Sequence, residues 1–417
     1  MSNNSTLPPS DVLPGPLDDP FKNWPNGDLL IDEEDRRFFA RHFPAFAPIF
    51  DWPELRSLFA TYDAPAARAR KRSRRSGKFA VGAGVLSLIL AATIPLIAEN
   101  ARTKDVPADA HSAVALTKNE GIASASVDAK KNNPDVRMAV VGGLAAFLAI
   151  LSVFFGYTQV LTGRAKSRWL TNRFWTERIR QFHFQLIVNH LPAVVAAATS
   201  KDDLQKWLDF RTTQLDQFSH DYLRGAEDKI HHLELDEAED SPWIVAEWDH
   251  PGSIPAASPG LDVLLKLMER QRFGIQERYA ERKLRPGLHS PATLTDWVLR
   301  LSDVFTFVLL LATITAGVGS VLVVFALCSS IVHFKAALIA AVASALVVAM
   351  RALKEGLLFN ADAERYKWYL AAVRTLYRRY GHADLPRKVF MLRELERTAY
   401  QEMRRFMLSA TQARFVM

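Results

Sequence analysis

The sequence predicts an all-α integral membrane protein with two transmembrane helical hairpins and cytoplasmic amphipathic helices. Three observations predict it. Four stretches are long, apolar and free of charge through their middles; basic residues crowd one side of each pair; and no segment shows the period-two alternation of a strand.

A hydrocarbon core about 30 Å thick needs roughly 20 helical residues at about 1.5 Å each. Stretches 79–98 and 138–161 make the first pair, and 304–328 and 331–350 the second. The fourth opens on Ile331-Val332-His333-Phe334-Lys335. A lysine at mid-bilayer costs about 2.5–3.5 kcal/mol, but near a helix end it snorkels to the headgroups, so the span is kept.

Orientation follows from the short basic flanks, which stay in the cytoplasm. Arg68, Arg70, Lys71, Arg72, Arg74, Arg75 and Lys78 precede the first span, and Arg164, Lys166 and Arg168 follow the second. Arg282, Lys283, Arg285 and Arg300 precede the third, and Arg351 and Lys354 leave the fourth. The expected placement is therefore multi-pass in a cell inner membrane, both termini cytoplasmic. The outer connections are then 99–137, whose charges balance, and a tight Ser329-Ser330 turn. The formal net charge of +7 raises the question of nucleic acid, but a basic run that ends where a span begins reads as a topogenic signal contacting anionic headgroups. No nucleic-acid partner is expected.

Along the chain, 1–28 is rich in Pro, Asp and Asn and reads as disordered, without an apolar signal-peptide core. A first helical unit is expected over 29–190, holding the first hairpin. Its aromatic opening, Phe38 to Leu58, is suited to pack on cytoplasmic helices or lie at the interface. Over Arg164 to His190, Trp175, Ile179, Phe182 and Leu186 recur at helical spacing. Residues 191–235 form a cytoplasmic helical region, with a helix from Ser200 whose Ser-Lys-Asp-Asp start suits an N-cap. Acidic, Pro-rich 236–260 reads as a linker. A second helical unit over 261–417 holds the second hairpin, a helix to Tyr380 capped by Gly381, and a last helix from about Pro386 with Glu394–Arg397 and Glu402–Arg405 pairs. The order of helix, hairpin and amphipathic helix thus occurs twice, with Glu177-Arg178 and Glu364-Arg365 at similar distances beyond their hairpins, suggesting duplication.

The tract Gln276-Glu277-Arg278-Tyr279-Ala280-Glu281-Arg282-Lys283, the paired spans, Ala363-Glu364-Arg365-Tyr366 and the terminal Leu392-Arg393-Glu394-Leu395-Glu396 helix together resemble the SLATT superfamily. These are bacterial proteins with two transmembrane helices followed by cytoplasmic helices, named for association with SMODS nucleotide synthases and SLOG sensors. The resemblance covers 265–410 and, more loosely, 60–190; the long 99–137 connection departs from the compact family form. It implies a membrane effector of a bacterial conflict or antiviral system that oligomerises and permeabilises the membrane. The partners implied are a second copy of the chain and a nucleotide-signalling or sensor protein. A membrane-anchored scaffold or sensor binding a cytoplasmic partner protein is the alternative.

Catalytic chemistry is not visible, and no cofactor is expected. Cys328 stands alone, excluding a disulfide framework and a thiolate zinc site. His183, His190, His220, His231, His232 and His250 gather near acids but match no ligand spacing. Gly82, Gly84, Gly142 and Gly143 lie inside spans, where close helix packing explains them better than phosphate binding. Ala337, Ala341 and Ala345 recur every four residues, and Gly142 with Ala146 forms a small-xxx-small pair. Such faces serve packing within the chain or between protomers. Thr313, Thr315, Ser320 and Ser344 are candidates for a narrow polar path, although hydroxyls commonly bond back to their own helix. No charged residue lies at mid-span, which argues against an ion-coupled transporter.

Overall fold

The computed structural model describes residues 27–104, 134–160, 164–223, 257–285, 291–324 and 330–412, and these are helical with short connections. The helices are α1 (Glu33–His42), α2 (Ala47–Phe50), α3 (Pro53–Lys104), α4 (Pro134–Val160), α5 (Arg164–Asn189), α6 (Leu191–Thr199) and α7 (Lys201–Phe218). After them come α8 (Pro259–Met268), α9 (Ile275–Leu284), α10 (Pro291–Val324), α11 (Ser330–Leu357), α12 (Phe359–Gly381) and α13 (Leu385–Gln412). Wide π-type turns extend α7 over Ser219–Leu223 and join α8 to α9 over Glu269–Gly274. The acidic linker 236–260 falls mostly outside the described residues, as do His231, His232, His250 and Cys328.

The chain divides into two compact units, though not at the linker. One, here the body, comprises Met1–Lys71, Ala165–Leu294 and Leu358–Gln412; the other, the spanning unit, comprises Arg72–Arg164, Thr295–Leu357 and Ala413–Met417. The successive units expected over 29–190 and 261–417 are therefore interleaved. Polarity sorts the segments: amphipathic helices from both halves share one core, whereas helices apolar all round have no polar face to offer water.

Local signals set the helix ends. Asp32 caps α1, its side chain accepting from the Glu33 N–H at 3.2 Å, with Glu33, Glu34 and Asp35 in the first turn. Ser200 caps α7 by accepting from Asp203 at 3.3 Å, as its sequence suggests. Ser258 does the same for α8 through Leu261 at 3.2 Å, ahead of Pro259. Pro192 cannot continue α5, and α6 leaves it at 79°. Leu358, at φ 56°, ends α11 in the left-handed region. Gly381 lies in the last turn of α12, and the cap is His382 rather than the glycine, at φ −108°.

In the body, the aromatic stretch after residue 28 is core. Phe39, Phe43, Phe46, Phe50 and Trp52 are buried, and Trp52 lies 6.0 Å from Phe182. Phe182 in turn stacks on Phe218 at 4.5 Å. Each such buried large side chain contributes about 1.5–3 kcal/mol to the body's packing. The fold starts at Gly27, so Asp28, placed by the sequence in the disordered opening, is a buried residue. Helix α5 also departs from the amphipathic expectation. Arg178, Gln181, His183 and Gln185 are as buried as its apolar stripe, because other body helices surround it.

In the spanning unit, hydroxyls and small residues bring helices together. The Ser87 hydroxyl donates to the Ala145 carbonyl at 2.8 Å, and Ser152 donates to that of Ala80 at 2.9 Å, tying α3 to α4 in both directions. Phe79 meets Phe155 edge to face at 4.8 Å. Val81 packs with Ala349 and Ala352 of α11. Three helices among the described residues are long and apolar enough to cross a membrane: the apolar part of α3, Met138–Phe155 in α4, and Asp296–Thr315 in α10. The stretch 331–350 lies within α11, with the side chains of 331–337 outside the described set.

Candidate functional site

The residues singled out for the membrane separate by face. Ala345 is buried, whereas Ala341 is exposed; Ala146 is exposed and its neighbour Ala145 is buried. On α4 the close approach to α3 is made by Ala145, with Ala80 and Ala83 buried on α3, whereas Ala146 of the small-xxx-small pair is turned away from it. On α11 the buried residues include Ala343, Ala345, Val347, Ala349 and Ala352. A Cβ at Gly142 would sit 3.7 Å from the Ile94 side chain, an ordinary contact, and one at Gly82 or Gly143 would meet nothing within 4 Å. The Thr313 hydroxyl donates to the Leu309 carbonyl at 2.7 Å and Thr315 to Leu311 at 2.8 Å, each within its own helix. Ser344 is exposed, and the side chains of Ser320 and Ala337 lie outside the described residues.

The densest polar chemistry lies in the body. Arg272, in the π-type turn, is fully buried and grips Glu396 of α13 with two hydrogen bonds, at 2.7 and 2.8 Å. Its third contact is Asp28 at 3.3 Å, which also sits 3.1 Å from Arg180 of α5. Glu177 then joins Arg180, at 2.7 Å, to Arg173. A second set links α12 to α13, where Arg365 lies 2.8 Å from Glu402 and 2.9 Å from Asp362. Arg272 stands within the wide turn, between buried Gln271 and Phe273.

Burial sets the ionisation of these groups. It pushes the carboxyls of Asp28 and Glu396 above the usual range, with Arg180 and Arg272 pulling the other way. Burial likewise raises Glu177, but Arg173 and Arg180 outweigh it and hold that carboxyl low. Burial penalises the Arg272 guanidinium, and Glu396 overcomes the penalty. His183 sits among Phe50, Trp52 and Phe184, with neither ring nitrogen hydrogen-bonded, and burial followed by Arg211 and Arg272 pushes it down to about 3. It is therefore a neutral core residue. His220 pairs with Asp221 at 2.9 Å on the surface.

The two Glu-Arg pairs of the apparent repeat are not equivalent. Both arginines are buried, but Glu177 belongs to the ionic chain whereas Glu364 is exposed and pairs with Lys367 at 3.0 Å. The terminal helix keeps Glu394–Arg397, at 2.8 Å. Glu402–Arg405 gives way: Glu402 turns to Arg365, and Arg405 lies 3.8 Å over the Trp368 ring.

Beside the second ionic set the body holds a cavity of about 240 Å³. Five cations line it, Arg70, Arg173, Arg180, Lys283 and Arg365, against the carboxylates Asp63, Glu177, Asp362 and Glu402. Tyr279 and Tyr366 close one side, their hydroxyls 3.3 Å apart. Among the described residues no three His, Cys, Asp or Glu side chains are grouped to hold a metal ion. Sequence reasoning missed this cavity because its walls come from five separated segments; only Tyr279, Lys283, Arg365 and Tyr366 fall inside the tracts that resemble SLATT proteins. No family model matches the chain, and no curated protein or solved structure matches it.

Proposed function

We propose that this chain is a membrane effector of a bacterial conflict or antiviral system, multi-pass in the inner membrane with both termini cytoplasmic, that oligomerises and permeabilises the bilayer. The observation that carries the reading is the apolar surface of the spanning unit. Only 6% of Met138–Phe155 and 11% of Asp296–Thr315 is buried within the chain. Phe147, Ile150, Val153, Phe307 and Leu310 are each more than half exposed, a surface that lipid or other copies must cover. The exposed small residues Ala146 and Ala341, with open space at Gly82, allow helices of another protomer to approach closely. The antiviral setting rests on the resemblance to SLATT proteins. The reading assigns no catalytic residue and no cofactor.

A second reading is a membrane-anchored scaffold or sensor. It is favoured by a body with its own core and cavity, more structure than an anchor needs. Overproduction in a bacterium, with membrane potential followed by a dye, separates the two. The effector depolarises cells, and Ala341→Leu relieves this by blocking the alanine face. Normal potential with confirmed membrane insertion supports the scaffold.

A further inference from the structure

Most carboxylates around the body's cavity are already engaged. Glu177 is held by Arg173 and Arg180, and Asp362 and Glu402 by Arg365. Lys283 is not engaged in this way: among the described residues no carboxylate lies within ion-pair distance of it, and its ammonium sits 5.4 Å from the Tyr279 ring centroid. Among the described residues Arg70 likewise has only a ring contact, 5.9 Å over Trp169. Asp63 is the one remaining lining carboxylate. Two cations thus face the cavity against a single unengaged acid.

We propose that this cavity binds a phosphate group, held by Lys283 and Arg70 with Arg173 beside them. A half-buried ammonium without a paired counter-charge is costly, and an oxyanion with several acceptor oxygens supplies that charge. The guanidinium fork of Arg70 matches phosphate geometry, while Lys283 acts as a point charge. Burial, then the nearby charges of Arg70 and Arg173, depress Lys283 to about 8, which marks a site short of negative charge even with Asp362 close by. The volume of about 240 Å³ falls below the roughly 300–1,000 Å³ of pockets for drug-sized ligands, so the group is compact. Trp169, Tyr366 and Phe406 offer its carbon body an apolar wall. A soluble phosphomonoester and the headgroup of an anionic lipid share this chemistry. The proposal does not depend on whether the spans permeabilise a membrane.

The test uses the full chain purified in uncharged maltoside micelles. Inorganic phosphate and glycerol 3-phosphate are titrated calorimetrically, and phosphatidylglycerol retention against phosphatidylcholine is read by native mass spectrometry. Saturable binding in either arm supports the proposal if Lys283→Gln and Arg70→Gln each weaken it roughly tenfold or more, the loss of one charge-assisted contact, while the exposed Lys201→Gln does not. The arm that binds names the source. No saturable binding in either arm overturns it, as does binding that Arg70→Gln and Lys283→Gln leave within about two-fold. Should Lys283→Gln fail to fold, the exposed Arg70 side chain still decides the outcome.

Discussion

Arg272 carries a heavy electrostatic demand, because it is fully buried and answers two buried carboxylates. Arg272→Ala should cost about 3–5 kcal/mol by stranding Glu396, whereas Arg272→Met combined with Glu396→Leu should recover most of that loss; denaturant unfolding in micelles measures both. His183 makes a second demand. Its pKa is depressed, so the unfolded chain binds the extra proton between about pH 3 and 6.5, and stability falls as pH drops through that window. His183→Phe should flatten the acid side of the stability profile relative to the parent, measured as melting temperature against pH. Buried carboxyls such as Asp28 and Glu396, raised by burial, slope the opposite way and are common to both proteins. Neither residue announces itself in sequence. Arg272 stands in the polar run Glu269-Arg270-Gln271-Arg272, where nothing distinguishes it from its neighbours, and His183 reads as one of several scattered histidines.

For the helices, periodicity showed where elements lie but not which face meets which. The extents of α5 and α12 and the starts of α7 and α13 were legible because apolar spacing and Ser or Asp caps act within a few residues. On α4 the residue that approaches α3 is Ala145 while Ala146 is exposed, a choice that small residues at adjacent positions do not reveal in sequence. Ala145→Leu should therefore destabilise the α3–α4 hairpin by about 1–3 kcal/mol through overpacking. Ala146→Leu should leave the hairpin unchanged, and unfolding of detergent-solubilised protein compares them. The wide turn at Glu269–Gly274 was also invisible, since its residues continue the helical pattern on both sides.

At the level of the molecule, the exposed apolar side chains set where it can reside. Among the described residues, the large exposed apolar side chains other than Phe390 and Leu408 belong to the spanning unit. The protein should stay with the membrane fraction in alkaline carbonate and leave it only with detergent, as immunoblotting of fractions checks. Composition alone carried that conclusion, because a long run of uncharged apolar side chains is costly in water whatever surrounds it, and so was the all-helical character. Other features needed the folded chain. The interleaving of the two units, the burial of Asp28, the joining of Arg272 to Glu396 and the walls of the cavity each pair residues far apart in number. Hydropathy and helical period are properties of neighbours along the chain, whereas these pairings depend on which faces exclude water together.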